Sequence, residues 1–443
     1  MTRRLQCHLP AAAVFGLALV VRIVYNATTA RGYVPAYDAG YYESIALNLI
    51  HERCFCLVAH RATLSRAPLW PWLIAIIYAL TGSDNFHARL FLSLVGSGTC
   101  TIVFFWTRHL FGQRIALITG IVAAFYPGLF IYDGWLYTES VYTFLLLVFA
   151  YGLYRLQCTG RLPWAGLSGA ALAGASLTRP NGLLYLGLLG IWAVLVLCAK
   201  LLPWRTVALG VLIVTVLTVG LVAPWTVRNY QLSHDFIPVA TGSGAVLLGA
   251  WNNQALTYRP GYPGMWVPPR NISPRVNYQG HLPCCTYDLD GYQEAYAEHW
   301  ISTHPAEAAE LAGLHFINMW RPYTPEAGLP IEEFPDRASS KVVWEMMIIM
   351  PVPVILLAFF GLVVTWRRRW QHLLLPALLV GMDIAQCVVL YGSSRFRAPI
   401  EPVLLLLMGG ALWWLAQRMP RMLRRRTGDA TGNEPRGRAV SVG

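Results

Sequence analysis

Charge is scarce in this chain. Only 13% of its 443 residues are Asp, Glu, Lys or Arg, against about 25% in soluble domains, which excludes an ordinary solvated globule. Lysine is almost missing: of 34 basic residues only Lys200 and Lys341 are not arginine. Nine cysteines are present, but none has metal-site spacing. Cys7, Cys100, Cys158, Cys198 and Cys387 fall in or beside apolar runs, as small core residues do. Cys54/Cys56 and Cys284/Cys285 fall in two polar loops, where disulfides form only in an oxidising compartment. No internal repeat is visible, and the polar segment 227–345 does not alternate strongly enough to read as a sheet. The apolar N-terminal run lacks a small-x-small cleavage site and is interrupted by Arg22, so it reads as an uncleaved anchor.

What is abundant is hydrocarbon, at 56% hydrophobic residues. Several runs exceed the ~20 residues needed to cross a bilayer, which makes this an all-α polytopic membrane protein. The net charge of +12 sits mostly in short loops and an Arg418–Arg426 tail, a pattern that suits anionic headgroups rather than nucleic acid. Expected spans are 9–28, 88–107, 115–132, 139–155, 164–178, 182–199, 206–226, 346–366, 371–391 and 398–416. A further run, 67–82, carries Pro68 and Pro71 in its first turn. If it spans, most of the basic loops flip outside, against the positive-inside rule; it is therefore placed at the interface. Ten spans with both termini cytoplasmic follow, or eleven if 67–82 crosses.

Four regions result. Residues 1–226 form a membrane module with an external loop at 29–87. Residues 227–345 are a second external segment, rich in Pro, Tyr, Trp and Asn, with helices over Asp290–Trp320 divided at Pro305. Residues 346–416 return to the membrane. The basic tail, 417–443, reads as disordered from Thr427 onward, and Glu332, Glu333 and Asp336 as a solvated face.

Charges beside helix ends stand out in so apolar a chain. On the side assigned as external lie Asp38, Glu43, Arg66, Asp133, Glu139, Arg179, Arg228, Arg395 and Arg397, with Glu401 just inside the last span. Each has an ordinary reading. Asp38 suits the N-cap of a helix over 39–50, Glu139 the positive end of the next, the arginines snorkelling, and Asp133 a loop. Asp383 falls near mid-membrane without an evident partner. Taken jointly, external arginines form a cage for an anionic group, because guanidinium grips phosphate with two prongs. Carboxylates facing them suit a general base or a divalent cation. The combination describes a site for a phosphate-linked lipid.

In order along the chain come Tyr37-Asp38-Ala39-Gly40-Tyr41-Tyr42, Arg66-Ala-Pro-Leu-Trp-Pro, Ala88-Arg89-Leu90 and Leu110-Phe111-Gly112. Then follow Tyr126-Pro127 with Thr138-Glu139, Leu177-Thr178-Arg179-Pro180 and Pro224-Trp225-Thr226-Val227-Arg228-Asn229. Gly249-Ala-Trp-Asn252-Asn253, His304-Pro305 and Arg395-Phe396-Arg397-Ala398-Pro399 complete the series. This succession resembles the GT-C type membrane glycosyltransferases of the protein O-mannosyltransferase and aminoarabinose-transferase-like superfamily. The resemblance implies a polyprenyl-phosphate sugar donor, an acceptor that is a protein, lipid or glycan, and an active site on the outer face of the bacterial cytoplasmic membrane. It places catalysis on Asp38, with Glu139 the second carboxylate, and substrate contacts on Glu43, Arg66, Arg179, Arg228, Arg395 and Arg397. Many relatives carry Asp-Glu where this chain has Asp38-Ala39. No cofactor is required; a divalent cation such as Mg2+ or Mn2+, if used, falls to Asp38 and Glu139. A single displacement needs one base and a stabilised leaving group, hence inversion. A polyprenyl-sugar flippase or an oligosaccharide polymerase or ligase are the alternatives; a flippase would often show inverted repeats.

Overall fold

The structure, a computed structural model, describes residues 2–272, 286–324 and 337–430. In chain order its elements are α1 (Thr2–Ala27), α2 (Tyr37–His51), β1 (Cys56–Val58), β2 (Arg61–Ala62), α3 (Leu69–Thr81), α4 (Asn85–Phe111), α5 (Gln113–Phe125) and α6 (Pro127–Phe130). Then come α7 (Glu139–Thr159), α8 (Pro163–Thr178), α9 (Tyr185–Cys198), α10 (Trp204–Ser233), α11 (Ser243–Ala250) and α12 (Pro269–Ile272). The last are α13 (Thr286–Thr303), α14 (Pro305–Trp320), α15 (Arg337–Ile349), α16 (Pro351–Val389) and α17 (Glu401–Ala430). β1 and β2 pair antiparallel as a minimal hairpin that the sequence pattern does not foretell.

Helices dominate because a spanning segment must satisfy its backbone internally. Among the described residues, seven helices are long and apolar enough to cross a membrane, or eight if α5 and the 127–134 segment, bent by 61°, count as one. The expectation of ten differs for identifiable reasons. The expected spans 346–366 and 371–391 appear as one continuous run, Lys341–Val389. At 1.5 Å per residue that run is about 74 Å long, far beyond the ~30 Å hydrocarbon layer. It breaks at Arg369, whose backbone leaves helical geometry (φ −138°, ψ 19°) and whose guanidinium donates to the Leu110 carbonyl at the end of α4. Two segments therefore meet at Arg369. The 164–178 span is the 16-residue α8, too short to be counted. α3 is an apolar helix of 13 residues. The last expected span runs on without a break, α17 being helical through Ala430.

The main core packs α1, α4, α5, α7, α8, α9, α16 and α17 around Phe104, Trp106, Phe149 and Trp192. α16 and α17 approach closely because Gly361 has no side chain; a Cβ there would collide with the Leu407 carbonyl. A second core at one end of the bundle joins α2, α3 and the 130–137 segment through Tyr42, Trp70, Tyr78 and Trp135. α13 and α14 divide at Pro305 as anticipated and pack on α11 through Trp300 and Leu311. Cys100 and Cys387 are buried, whereas Cys158 and Cys198 lie on the outside of the bundle. Cys54 and Cys56 are joined as a disulfide. Cys284, Cys285, Glu332, Glu333, Asp336 and most of the expected disordered tail lie outside the described residues.

Candidate active site

Five of the singled-out side chains converge beside the second core. Asp38 accepts from Arg66 Nη2 at its Oδ1 and from Arg395 Nη2 at its Oδ2, each at 3.2 Å. Glu139 Oε1 accepts from Arg179 Nη2 at 3.2 Å and, in a short bond, from Arg395 Nε. Arg395 thus bridges two carboxylates that are 101 positions apart in sequence, Asp38 and Glu139. Its guanidinium also lies 4.5 Å above the Tyr137 ring, and that of Arg66 lies 4.9 Å above Tyr41.

Local sequence explains each placement. α2 starts at Tyr37, held at φ 48°, so Asp38 falls in the first turn and the N-cap is Ala36. Asp38 makes no capping bond; the cap reading fails, and both its oxygens are bound by arginine instead. Pro180 keeps Arg179 extended (φ −145°, ψ 129°) at the end of α8, which turns it toward Glu139. Glu139 opens α7, where the helix dipole favours an acid.

The two carboxylates differ in access. Glu139 is fully enclosed, whereas 36% of the Asp38 side chain is exposed. Burial pushes the Asp38 carboxyl up, but Arg395, Arg66 and Arg179 outweigh it and hold it below its ordinary value. Burial works against the Arg395 charge, yet Glu139 and Asp38 keep its pKa well above the ordinary guanidinium range. Three guanidiniums against two carboxylates leave one net positive charge, and only part of the cluster is shielded from solvent.

The remaining candidates sit elsewhere. Arg397 pairs with Glu401 Oε1 at 2.7 Å and donates to the carbonyls of Met319 and Arg321, latching the end of α14 to the start of α17. Arg228 donates to the Thr63 carbonyl at 2.9 Å and lies over Trp225, bracing the loop after the β-hairpin. Glu43 accepts from the Tyr78 hydroxyl at 2.6 Å, tying α2 to α3. Asp383 is buried in α16 with one oxygen unpartnered. Asp133 is no solvated loop residue: it is fully buried and paired with Arg22 at 2.6 Å.

Among the described residues, no three His, Cys, Asp or Glu side chains come together. Asp38 and Glu139 are both occupied by Arg395, so a divalent cation would have to displace that guanidinium. The donor set as arranged does not fit a metal.

Residues 65–224 match the family of dolichyl-phosphate-mannose-protein mannosyltransferases. That stretch contains Arg66, Glu139 and Arg179. No curated protein matches the chain in sequence. Among solved structures, the archaeal oligosaccharyltransferase AglB from Archaeoglobus fulgidus, in complex with an inhibitory peptide and a dolichol-phosphate, superposes with a TM-score of 0.56 at 13% identity. The match covers 97% of this chain and 52% of AglB, so the chain spans about half the length of that protein. The same enzyme tethered to an acceptor peptide gives 0.53 at 14%, over 96% of this chain and 52% of that one. ArnT from Cupriavidus metallidurans bound to undecaprenyl phosphate gives 0.42 at 16%, over 94% and 80%. Over 65–224 the chain is thus similar to that mannosyltransferase family, and it shares its fold with the Archaeoglobus fulgidus oligosaccharyltransferase.

Proposed function

We propose that the protein transfers a sugar from a polyprenyl-phosphate donor to an acceptor hydroxyl, at a site facing the exterior of a bacterial cytoplasmic membrane. The observation that carries this reading is the Arg395 bridge between an accessible and an enclosed carboxylate, flanked by Arg66 and Arg179. It is a preformed anion site with a base at its edge.

The reaction is a single displacement with inversion. The acceptor oxygen bonds to the anomeric carbon, the bond from that carbon to the phosphate oxygen breaks, and its electron pair leaves on the lipid phosphate. Asp38 takes the acceptor proton. Arg66, Arg179 and Arg395 stabilise the charge that grows on phosphate, the role of pre-organised donors at a developing oxyanion. Glu139 is shut off from solvent and acts by holding Arg179 and Arg395 in place. A phosphate that draws Arg395 and Arg66 toward itself weakens their hold on Asp38, and the carboxylate becomes a better base once donor is bound. No step is routed through a metal.

The test is transfer by purified protein in nanodiscs. It receives radiolabelled polyprenyl-phosphate sugars and a cell-envelope fraction, beside the Asp38→Asn variant and with EDTA in a parallel arm. Transfer by the wild type and not by Asp38→Asn, unaffected by EDTA, is expected. Undiminished transfer by Asp38→Asn would sink the base assignment. Absence of transfer by either, with labelled sugar-lipid crossing liposomes, would favour the flippase reading.

A further inference from the structure

Arg395 lies in the strap that joins α16 to α17, residues 390–400, whose regular structure is a single 3-10 turn at Ala398–Ile400. Irregular connections are ordinarily the mobile parts of a fold. A bridge between Asp38 and Glu139 nevertheless needs the Arg395 backbone in one place. The strap is held there by α11, α14 and the residues that follow them, which belong to the 227–345 segment.

Two helix ends are satisfied across this strap. The last carbonyls of a helix have no partner within it. At the end of α16, the Val388 carbonyl accepts from His315 Nδ1 at 3.0 Å and the Val389 carbonyl from Trp251 Nε1 at 2.7 Å. At the end of α14, the Met319 and Arg321 carbonyls accept from Arg397 Nη1 at 2.6 and 2.9 Å, where a cation also meets the negative end of the helix dipole. Glu401 holds Arg397 and accepts from the Tyr126 hydroxyl at 2.8 Å. Between these pins Gly392 presses on α14, and a Cβ there would collide with the His315 carbonyl. Directly before Arg395, the Ser394 backbone N–H donates to Thr324 Oγ1 at 3.1 Å, and the two hydroxyls share a hydrogen bond, also at 3.1 Å. Thr324 and Ser394 are both buried.

We infer that Thr324 is a positioning residue for Arg395, acting through Ser394, and that the 227–345 segment sets the reach of this arginine by pinning the strap that carries it. Asp38 and Glu139 fix the guanidinium; the pins fix the backbone from which it extends. The distinction matters once a phosphate competes for the guanidinium. An arginine carries about 2 kcal/mol of rotamer entropy, and a free strap would add backbone freedom to it. A pinned strap keeps the movement toward phosphate short and leaves Arg395 beside Asp38. As a statement about rate this rests on the transferase reading above; as a statement about what holds the strap it does not.

Two measurements on the full-length protein in nanodiscs test it. Thr324→Val keeps the shape and leaves the Ser394 N–H without its acceptor, whereas Thr324→Ser keeps the hydroxyl. In the transfer assay with undecaprenyl-phosphate sugar, kcat of Thr324→Val should fall about 10–100-fold, the scale of a small misplacement at a catalytic centre. Its acid limb of kcat/KM should move to higher pH, because Asp38 then keeps only Arg66 and Arg179 in full. Thr324→Ser should restore both. Wild-type kcat in Thr324→Val, or a lower kcat with an unmoved acid limb, would overturn the positioning role. The second measurement is amide hydrogen exchange over 390–397, read by mass spectrometry. Thr324→Val should exchange about tenfold faster, for loss of one buried acceptor, and Thr324→Ser at the wild-type rate; unchanged exchange in Thr324→Val would show that the pin holds nothing. If Thr324→Val melts more than a few degrees below the wild type, Ser394→Ala replaces it. That variant deletes only the bond between the hydroxyls and should shift both readouts in the same direction by less, and no shift in either would overturn the inference. If the wild type itself transfers nothing, the transferase reading has failed and the exchange rates alone decide the strap.

Discussion

Replacing Arg395 by glutamine removes the one side chain among the described residues that touches both carboxylates. At 3.2 Å from Asp38, a unit charge in an effective dielectric near 20 contributes about 5 kcal/mol. Because 36% of the Asp38 side chain is exposed, solvent discounts that figure considerably, and an arginine neighbour typically lowers a carboxyl by about 1–3 pKa units. Burial, which pushes Asp38 upward, then meets only Arg66 and Arg179. The sign is fixed: an ionised Asp38 is the working form, so rate falls as pH drops through its pKa, and losing Arg395 moves that fall to higher pH. In the wild type the acid limb of kcat/KM should lie below the ordinary carboxyl value of 3.8, outside the usable range. In Arg395→Gln it should rise by about 1–3 units, and kcat should drop about 10²–10³-fold for loss of a pre-organised donor. The assay is the pH profile of kcat/KM for donor, which reports the free enzyme, run beside Arg395→Lys. Lysine keeps the charge and loses the fork, so its acid limb should stay low while its kcat falls. A flat acid limb and near-normal kcat in Arg395→Gln would refute the bridge as a working part of the site.

Two further outcomes concern stability. Arg22→Met strands Asp133 in a site with no solvent access and should cost about 3–5 kcal/mol by denaturation, with the Arg22→Met/Asp133→Leu double variant recovering much of it; silent single variants would show that the pair contributes nothing. His315, fully buried and bonded to the Val388 carbonyl at 3.0 Å, is pushed by burial from 6.5 down to about 4. The unfolded chain therefore takes up a proton first, and stability should fall by about 3 kcal/mol as pH drops from 6.5 to 4, then level off. His315→Gln should lack that dependence in melting curves, and an unchanged slope would refute it.

The cluster was legible in the sequence because charge is so rare here that each acid or arginine beside a helix end stands out. Asp38, Glu139, Arg66, Arg179 and Arg395 were all singled out that way and do converge. Which arginine faces the cluster was not legible. Arg395 and Arg397 are two residues apart and chemically identical, yet one bridges Asp38 to Glu139 and the other turns to Glu401. The readable signal was Glu401 itself, four residues on from Arg397. Arg228 could not be placed because its partners Thr63 and Phe55 belong to a hairpin too short to leave a periodic trace. The Arg22–Asp133 pair had a weaker signal: each is a lone charge interrupting apolar sequence, and such charges usually find one another. The expected pair of spans 346–366 and 371–391 meets at Arg369, where the backbone leaves helical geometry inside one long run.

Charge balance ties the site to the chemistry proposed for it. Three guanidiniums and two carboxylates leave the free cluster at one net positive charge. A polyprenyl-phosphate sugar is a phosphodiester with one negative charge, so binding it brings the assembly to neutrality. Transfer converts the diester to a monoester carrying nearly two negative charges at neutral pH. Unbalanced, that second charge would build up in a partly buried pocket, where burying charge is expensive. It does not build up if the acceptor proton goes to Asp38, because the carboxylate loses one negative charge as the phosphate gains one. The site then stays neutral from bound donor to product. A base other than Asp38 would have to sit within the same ring of arginines to give that result, and the other acid in the ring, Glu139, is enclosed. The same balance separates the two variants at position 395: glutamine leaves the assembly one charge negative throughout the reaction, whereas lysine preserves neutrality and loses only the geometry.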